Sequence, residues 1–481
     1  MARKRPNIIL IDTDQQRADT IRYGGSDWMI TPHLDELAKD GVLFSNAFCA
    51  GATCMSSRAS FYTGLYPHTT GIVRFQRYTG AQNWTHRLRE AGYRTVSIGK
   101  THIAGGRHGY DERIAEQGNK YSPDYKDGDG TVKRRARWVD DLAKAGFEPP
   151  LKIHESWPGD FWENLAAIEW PLPEELHPDR WMGDQAVEWI GDYEPGDEPL
   201  FLHIGLLGPH DLYDPPKRYI DLYDDADIPM PEVTEAELAG MPDELHETAR
   251  RGAEITNITG IRKDRATPER IRRMRKHYFA NVTLIDETVG RIVQALKDKG
   301  LYDDAVIVFT SDHGDHLFDH DLYYKGELYD TIVNIPLIVR APGVSEPGRR
   351  VNDLTCHLDV AQTILACAGV DATDLEGMSL QPVLAEGAPH ARRYVYAEEG
   401  ASALRRAPDM LAMIRSDTHK LVYFSGGRTG QLFDLASDPG ETINLWDRPE
   451  YAEVRHELTA RLLDWLYRSL SRHADCYASA R

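Results

Sequence analysis

Asn7-Ile8-Ile9-Leu10-Ile11-Asp12-Thr13-Asp14-Gln15 is the stretch whose reading decides the fold. Its apolar run is short and does not alternate, which reads as a strand buried on both faces, and it passes directly into acids and an amide. Three further stretches repeat the pattern. Arg94-Thr95-Val96-Ser97-Ile98 runs into Lys100 and His102, Leu200 to Leu207 ends at Pro209-His210-Asp211, and Ala305-Val306-Ile307-Val308-Phe309 ends at Asp312-His313-Gly314-Asp315. Near-continuous apolar strands imply an α/β fold with a large central, mostly parallel sheet flanked by helices. Ligands in such sheets bind beyond the carboxyl ends of the strands. One charged strand end is a solvated turn; several at the same edge suggest a site.

Helices are expected between these strands. Pro268 to Lys299 carries Tyr278, Val282, Ile285, Val289, Ile292 and Leu296 at helical spacing, a core-facing stripe. Leu34 to Gly41 reads as a short helix closed by glycine. From about Gly105 to Asp184 the periodicity weakens, with Trp138, Trp157, Trp162, Trp170 and Trp181 among charges, Gly and Pro. This stretch is either a substrate-shaping insertion or a long ordered excursion, and most of its tryptophans are expected to pack. Tyr213 to Arg265, rich in Pro and Glu, reads as surface. Past Gly377 the character changes. Met410 to Ile414, Lys420 to Phe424 and Gln431 to Phe433 read as strands, with a turn at Ser425-Gly426-Gly427 and a closing helix from Tyr451 to Leu470. The expected organisation is an α/β domain over residues 1–376, with 105–184 as the insertion, and a smaller antiparallel sheet plus helix over 377–481.

Lys and Arg number 56 against 76 Asp and Glu, a net charge of −20 with no dense basic block, which argues against nucleic acid as a partner. An anionic substrate would need a local positive site inside that field. The five cysteines, Cys49, Cys54, Cys356, Cys367 and Cys476, show neither zinc-site nor disulfide-framework spacing, which favours a reducing compartment. Asp12 interrupts the N-terminal region before any long apolar segment, and no apolar run is long enough to span a bilayer. The expectation is a cytoplasmic protein with no membrane partner. Oligomeric state is not legible.

Asp14, Gln15, Asp312 and His313 are the candidate ligands of one divalent cation. Carboxylate and amide oxygens suit Ca²⁺ or Mg²⁺, while imidazole leans towards Mn²⁺. Asp12 shares a face with Asp14 but sits further back from the edge. Arg58, Lys100 and Lys325 supply positive charge, and His102 and His210 can move protons, a set suited to a tetrahedral anion. Cys54, opening a helix in Thr53-Cys54-Met55-Ser56-Ser57-Arg58, has three readings: a packing residue, a thiolate nucleophile, or the precursor of another group. Its four-residue spacing to Arg58 is shorter than the phosphate-cradling loop of cysteine phosphatases needs.

These residues resemble the sulfatase family within the alkaline-phosphatase-like superfamily. The resemblance rests on Asn7 to Asp19, Thr31 to Gly71, Gly99-Lys100-Thr101-His102, Pro209-His210, Thr310 to Pro342 and Leu432 to Leu445, in order over nearly the whole chain. It implies hydrolysis of sulfate esters, small-molecule or saccharide. It implies that a formylglycine-generating enzyme oxidises Cys54 to formylglycine, whose hydrate attacks sulfur and later expels sulfate. It further implies that Asp14, Gln15, Asp312 and His313 hold the metal, with Ca²⁺ first and Mn²⁺ or Mg²⁺ as alternatives. Arg58 then supports the nucleophile, and Lys100 and Lys325 grip the sulfate. His102 is the base that collapses the covalent intermediate, and His210 helps protonate the leaving group. Two positions depart from the common pattern: Ser56 stands where proline is commonest, and Gln15 replaces the usual second aspartate. The glutamine also occurs in phosphonate and phosphodiester hydrolases of the superfamily, so phosphonate monoester or phosphodiester hydrolysis is the alternative activity. A non-catalytic anion-binding protein with an unmodified Cys54 is the alternative from another class.

Overall fold

The computed structural model describes residues 5–76, 78, 83–104, 106–115, 124–126, 132–135, 137–148, 163–245, 261, 263–344, 346–402 and 409–478. At its centre is an 8-stranded sheet. In chain order its strands are β1 (Asn7–Asp14), β2 (Val42–Phe44), β3 (Arg94–Gly99), β4 (Glu112–Ile114), β5 (Leu200–Pro209), β6 (Ala305–Ser311), β7 (Leu337–Arg340) and β8 (Arg349–Val351). Their spatial order is β8-β2-β7-β6-β1-β5-β3-β4, and only the two pairings made by β7 are antiparallel. The four strands that end in charged residues are therefore contiguous, as β6-β1-β5-β3. Register keeps their ends level: Asp12 faces Thr310, Thr13 faces Ser311, and Gly99 faces Gly205. On the β5 side the register shifts between Asp12 and Asp14, and Asp14 comes opposite Pro209.

Both faces of this sheet are buried, which is why its strands lack polar alternation. Ile8 and Leu10 project into one core, Ile9 and Ile11 into another. Among the helices that cover the two faces are α1 (Pro32–Asp40), α2 (Cys54–Thr63), α3 (Pro178–Asp192), α4 (Pro268–Asp298) and α5 (His357–Cys367). Helices α1, α3 and α4 pack on the Ile9 side, α2 and α5 on the other. The α4 stripe is fully buried along its length, each residue contributing roughly 1.5–3 kcal/mol. Ile285, Val289, Ile292 and Leu296 lie on the sheet. Thr267 starts the helix by accepting a hydrogen bond from the Arg270 amide, with Pro268 in its first turn.

Two expectations change. The 213–265 stretch is not merely surface: Tyr213, Tyr219, Tyr223 and Ile228 are buried against Tyr278 and Val282 of α4. Residues 246–260 and 262 of that stretch lie outside the described residues. Helix α1 does end at Gly41, but with φ −129° this is no left-handed cap. The glycine answers a close approach instead, since a Cβ there would lie 2.7 Å from the Val339 carbonyl oxygen.

Trp138, Trp170 and Trp181 are buried in the core, whereas Trp157 and Trp162 lie outside the described residues. Helix α3 runs through position 184. In the C-terminal region β9 (Val395–Gly400), β10 (Met410–Arg415), β11 (His419–Phe424) and β12 (Gly430–Asp434) form an antiparallel sheet in that order. Of these, β9 had no counterpart in the sequence reading. Ala412, Ile414, Leu421 and Leu432 pack beneath Leu458 and Leu462 of α6 (Ala452–Ala478), while Leu411, Met413, Val422 and Phe424 join the main core. Among the described residues, no helix is long and apolar enough to cross a membrane.

Candidate active site

The candidate residues converge at the carboxyl edge of β6, β1, β5 and β3, with α2 delivering Cys54 and Arg58 from above. Cys54 is the first residue of α2, behind Thr53. Its Sγ lies 2.9 Å from Lys325 Nζ, 3.2 Å from His313 Nε2 and 3.7 Å from Asp14 Oδ1, and His102 also hydrogen-bonds it. Burial and Asp14 push the thiol up, but Lys325, His313 and His102 outweigh them and hold it well below its usual range. The packing-residue reading of Cys54 does not survive this polar surround.

Arg58, one turn along α2, points its guanidinium at carboxylates. Nε donates to Asp312 Oδ2 at 2.8 Å, Nη2 to Asp14 Oδ2 at 3.2 Å, and Nη1 to Asp12 Oδ2. Asp12 also meets His203 Nε2 at 2.6 Å, so it sits behind the site as an anchor for Arg58. Lys100 Nζ lies 2.7 Å from Asp14 Oδ2. Lys325 Nζ, besides touching Cys54, donates to Gln15 Oε1 at 2.7 Å. Burial disfavours charge on both central carboxyls. At Asp14 the neighbouring Lys100, His210, Lys325 and Arg58 win, and the carboxyl falls well below the usual range. At Asp312 burial wins over Arg58 and the carboxyl is raised.

The two proton carriers are driven apart. His102 is buried beside Lys100, and both effects lower it, to about 4. His210 is opposed by burial and Lys325, yet Asp211 and Asp14 outweigh them and raise it to about 9. Its Nδ1 is 2.9 Å from Asp211 Oδ1, and Tyr324 Oη is 3.2 Å from its Nε2. One histidine is therefore neutral and the other protonated at pH 7, the arrangement of a base and an acid.

Gln15 adopts φ +66°, a left-handed conformation that costs a non-glycine residue on the order of 1 kcal/mol or more. Hydrogen bonds hold it there: its amide N–H donates to Asp312 Oδ1 at 2.9 Å, and its carbonyl accepts from Tyr278 Oη at 2.7 Å. The donor set fits a divalent cation. Ligand atoms of Asp14, Cys54, Asp312 and His313 all lie within 4.8 Å of one another. His313 Nδ1 faces the Gly314 carbonyl at 2.9 Å, so that in the neutral form of the ring the Nε2 lone pair faces the cluster. The raised Asp312 carboxyl is a desolvated group whose charge a cation would restore.

Several contributing residues were not among the site candidates read from the sequence. Glu399 on β9 accepts hydrogen bonds from Ala52 N–H and Thr53 Oγ1 at 3.0 Å and from Ser56 Oγ at 2.6 Å, clamping the start of α2. Asp211 raises His210, and Tyr324 is its hydrogen-bond partner. Asp315 closes the Asp312-His313-Gly314-Asp315 run, and its place in that strand-end run was the available signal.

A sulfatase family model matches residues 6–370, and a model of the C-terminal region of N-sulphoglucosamine sulphohydrolase matches residues 318–467. The chain is 30% identical over 466 residues to an arylsulfatase of Clostridium perfringens, covering 93% of this chain and 92% of that one. It is 29% identical to a choline-sulfatase of Rhizobium meliloti, covering 96% and 86%. Among solved structures, the phosphonate monoester hydrolase of Agrobacterium radiobacter superposes with a TM-score of 0.80 at 26% identity, covering 97% of this chain and 96% of that one. A family model spanning most of the chain, together with an α/β sheet that gathers these residues at one edge, establishes that the chain belongs to the sulfatase family of the alkaline-phosphatase-like superfamily.

Proposed function

We propose that the protein hydrolyses sulfate esters, small-molecule or saccharide, at residue 54 after a formylglycine-generating enzyme has converted Cys54 to formylglycine. The observation that carries this reading is the position of Cys54 at the start of α2, within reach of Lys325, His313, His102 and Asp14 at once. The formylglycine hydrate supplies an oxygen nucleophile, and a divalent cation held by Asp14, Gln15, Asp312 and His313, Ca²⁺ first with Mn²⁺ or Mg²⁺ as alternatives, supplies Lewis-acid charge.

The chain's own residues do the rest. Lys100 and Lys325 offset negative charge on the non-bridging oxygens of the sulfate, inside a molecule whose overall field repels anions. His210, protonated at neutral pH, gives its proton to the leaving alcohol oxygen. His102, neutral at the same pH, takes the proton whose removal releases sulfate. Arg58 holds Asp12, Asp14 and Asp312 in place. A cytoplasmic setting suits Cys49 and Cys356, buried cysteines outside any disulfide.

A second reading, phosphonate monoester or phosphodiester hydrolysis at the same residues, is favoured by Gln15 and by the likeness to the phosphonate monoester hydrolase. A panel of aryl, alkyl and sugar sulfates beside phosphonate monoesters and phosphodiesters, with mass analysis of the Cys54 peptide, separates the two. Higher kcat/KM on sulfate esters with a modified residue 54 is expected. Higher kcat/KM on phosphorus esters selects the second reading, and an unmodified thiol without turnover leaves an anion-binding protein.

A further inference from the structure

We propose that Asp315 is a positioning residue that makes Gln15 an oxygen ligand, so that the carboxylate missing from position 15 acts from one residue further out. This rests on the metal-dependent reading above and assigns a role to a residue that reading does not use.

The Gln15 amide can turn either of its ends towards the cluster. It presents a donor on one side and an acceptor on the other, and its orientation is fixed by what surrounds it. On the inner side lies Lys325 Nζ, 2.7 Å from Oε1, and an ammonium group only donates. On the outer side Nε2 donates to Asp315 Oδ2 at 2.6 Å. Asp315 is fully buried and acts as an acceptor throughout. Its Oδ2 also takes Tyr213 Oη at 2.7 Å, and its Oδ1 takes the Leu317 amide at 3.0 Å. Both neighbours demand the same orientation, with nitrogen outward and oxygen inward.

The backbone supplies a second, independent observation. Gln15 is held at φ +66° by bonds from its own N–H to Asp312 and from Tyr278 to its carbonyl. A strained residue gripped at both backbone groups and both side-chain ends is built for one pose. Asp315 also polarises the amide, placing negative charge on the cation-facing oxygen without adding a full charge to the cluster.

With an amide in place of the Asp315 carboxylate the outer neighbour can donate, and the Gln15 side chain keeps only Lys325 of the two partners that fix its orientation. Glutamate at position 15 then restores an inward oxygen, because its carboxylate can accept from that new amide and from Lys325 together. The test is calorimetric titration of Ca²⁺ and Mn²⁺ into chelator-treated full-length protein, with melting temperature read alongside. Asp315→Asn is expected to raise Kd by about 10-fold or more, and Asp315→Asn combined with Gln15→Glu to return it to within about threefold of wild type. Gln15→Glu alone is expected to weaken binding despite its added charge, because two carboxylates then face each other. If Asp315→Asn does not fold, Gln15→Glu carries the test by its sign: weaker binding supports the proposal and tighter binding overturns it. Wild-type Kd in Asp315→Asn, or a double variant as weak as the single, overturns it as well, the latter leaving Asp315 as a support for Tyr213 and Leu317. Wild-type protein that binds neither cation instead overturns the metal-dependent reading on which the proposal stands.

Discussion

His102 and His210 begin as the same side chain and end at opposite protonation states because of what each strand end places beside them. His102 follows Lys100 out of β3, and burial together with the ammonium two residues away leaves it at about 4. His210 follows β5 into Asp211 and faces Asp14, which carry it to about 9. In the proposed mechanism His102 is a base that acts in its neutral form, so activity is expected to be lost as pH falls through about 4. His210 is there an acid that acts protonated, so activity is expected to be lost as pH rises through about 9. The expected kcat/KM profile is a bell with limbs near those values. His210→Ala should remove the alkaline limb and lower the plateau by about 10²-fold; a plateau unchanged by that substitution rules out His210 as the acid. Both histidines were legible as strand-end residues. Their division of labour came only as what the family resemblance implies, and their opposite protonation states were not legible, since these depend on Asp14 and on burial, neither of which is written locally.

Helix α2 shows what an element owes to distant chain. Its start is clamped by Glu399, 343 residues from Ser56, through the side chains of Thr53 and Ser56 and the Ala52 amide. Gly51 belongs to the same turn: a Cβ there would lie 2.4 Å from Ser56 Oγ. Ser56, a departure when read as part of the family motif, is in the fold the shortest bond of this clamp. Ser56→Ala should destabilise the protein by about 1.5–3 kcal/mol, the range for a buried bond to a charged partner. Glu399→Ala should cost more, and Glu399→Gln less than Glu399→Ala, since glutamine keeps one acceptor oxygen. Urea unfolding measures all three, and a Ser56→Ala midpoint identical to wild type would show that the clamp contributes nothing. No local pattern marks Glu399, because a short strand with two acids resembles a solvated edge. The α4 stripe, by contrast, was legible residue by residue, because helical period and burial coincide there.

At the scale of the molecule, strand order assembles the site. Four stretches far apart in the chain become neighbours because β1 lies between β5 and β6, with β3 on the far side of β5. The strands β2, β4, the reversed β7, β8 and β9 are the parts of the topology that periodicity did not reveal; all but β9 are only three or four residues long and set by partners rather than by pattern. The C-terminal sheet and the main core are joined through apolar contacts and through charged ones such as Lys420 Nζ to Asp330 at 2.8 Å. At the base of the main core, Asp359 on α5 accepts from the Cys356 and Met378 amides and meets Arg392 and His390. Burial opposes its charge, but Arg392 and His390 outweigh it and hold the carboxyl down at about 2. A carboxyl lower in the folded than in the unfolded chain stabilises above its unfolded value of 3.8 and stops doing so as pH falls through about 2. Asp359→Asn should therefore cost roughly 3–5 kcal/mol at pH 7 by leaving Arg392 buried and unpaired. The gap from wild type should narrow below pH 3.8; chemical denaturation across pH reads this, and a constant gap would contradict the linkage.

Cys54, once oxidised, is on this reading the group on which sulfate esters are cleaved. The most direct test measures sulfate release from an aryl sulfate by wild-type protein and by Cys54→Ala, with the residue-54 peptide of the active wild-type protein weighed by mass spectrometry. Formylglycine at position 54 and a fall in kcat of about 10³-fold or more in Cys54→Ala are expected. Full turnover by Cys54→Ala, or active protein whose residue 54 is an unmodified thiol, would contradict that role.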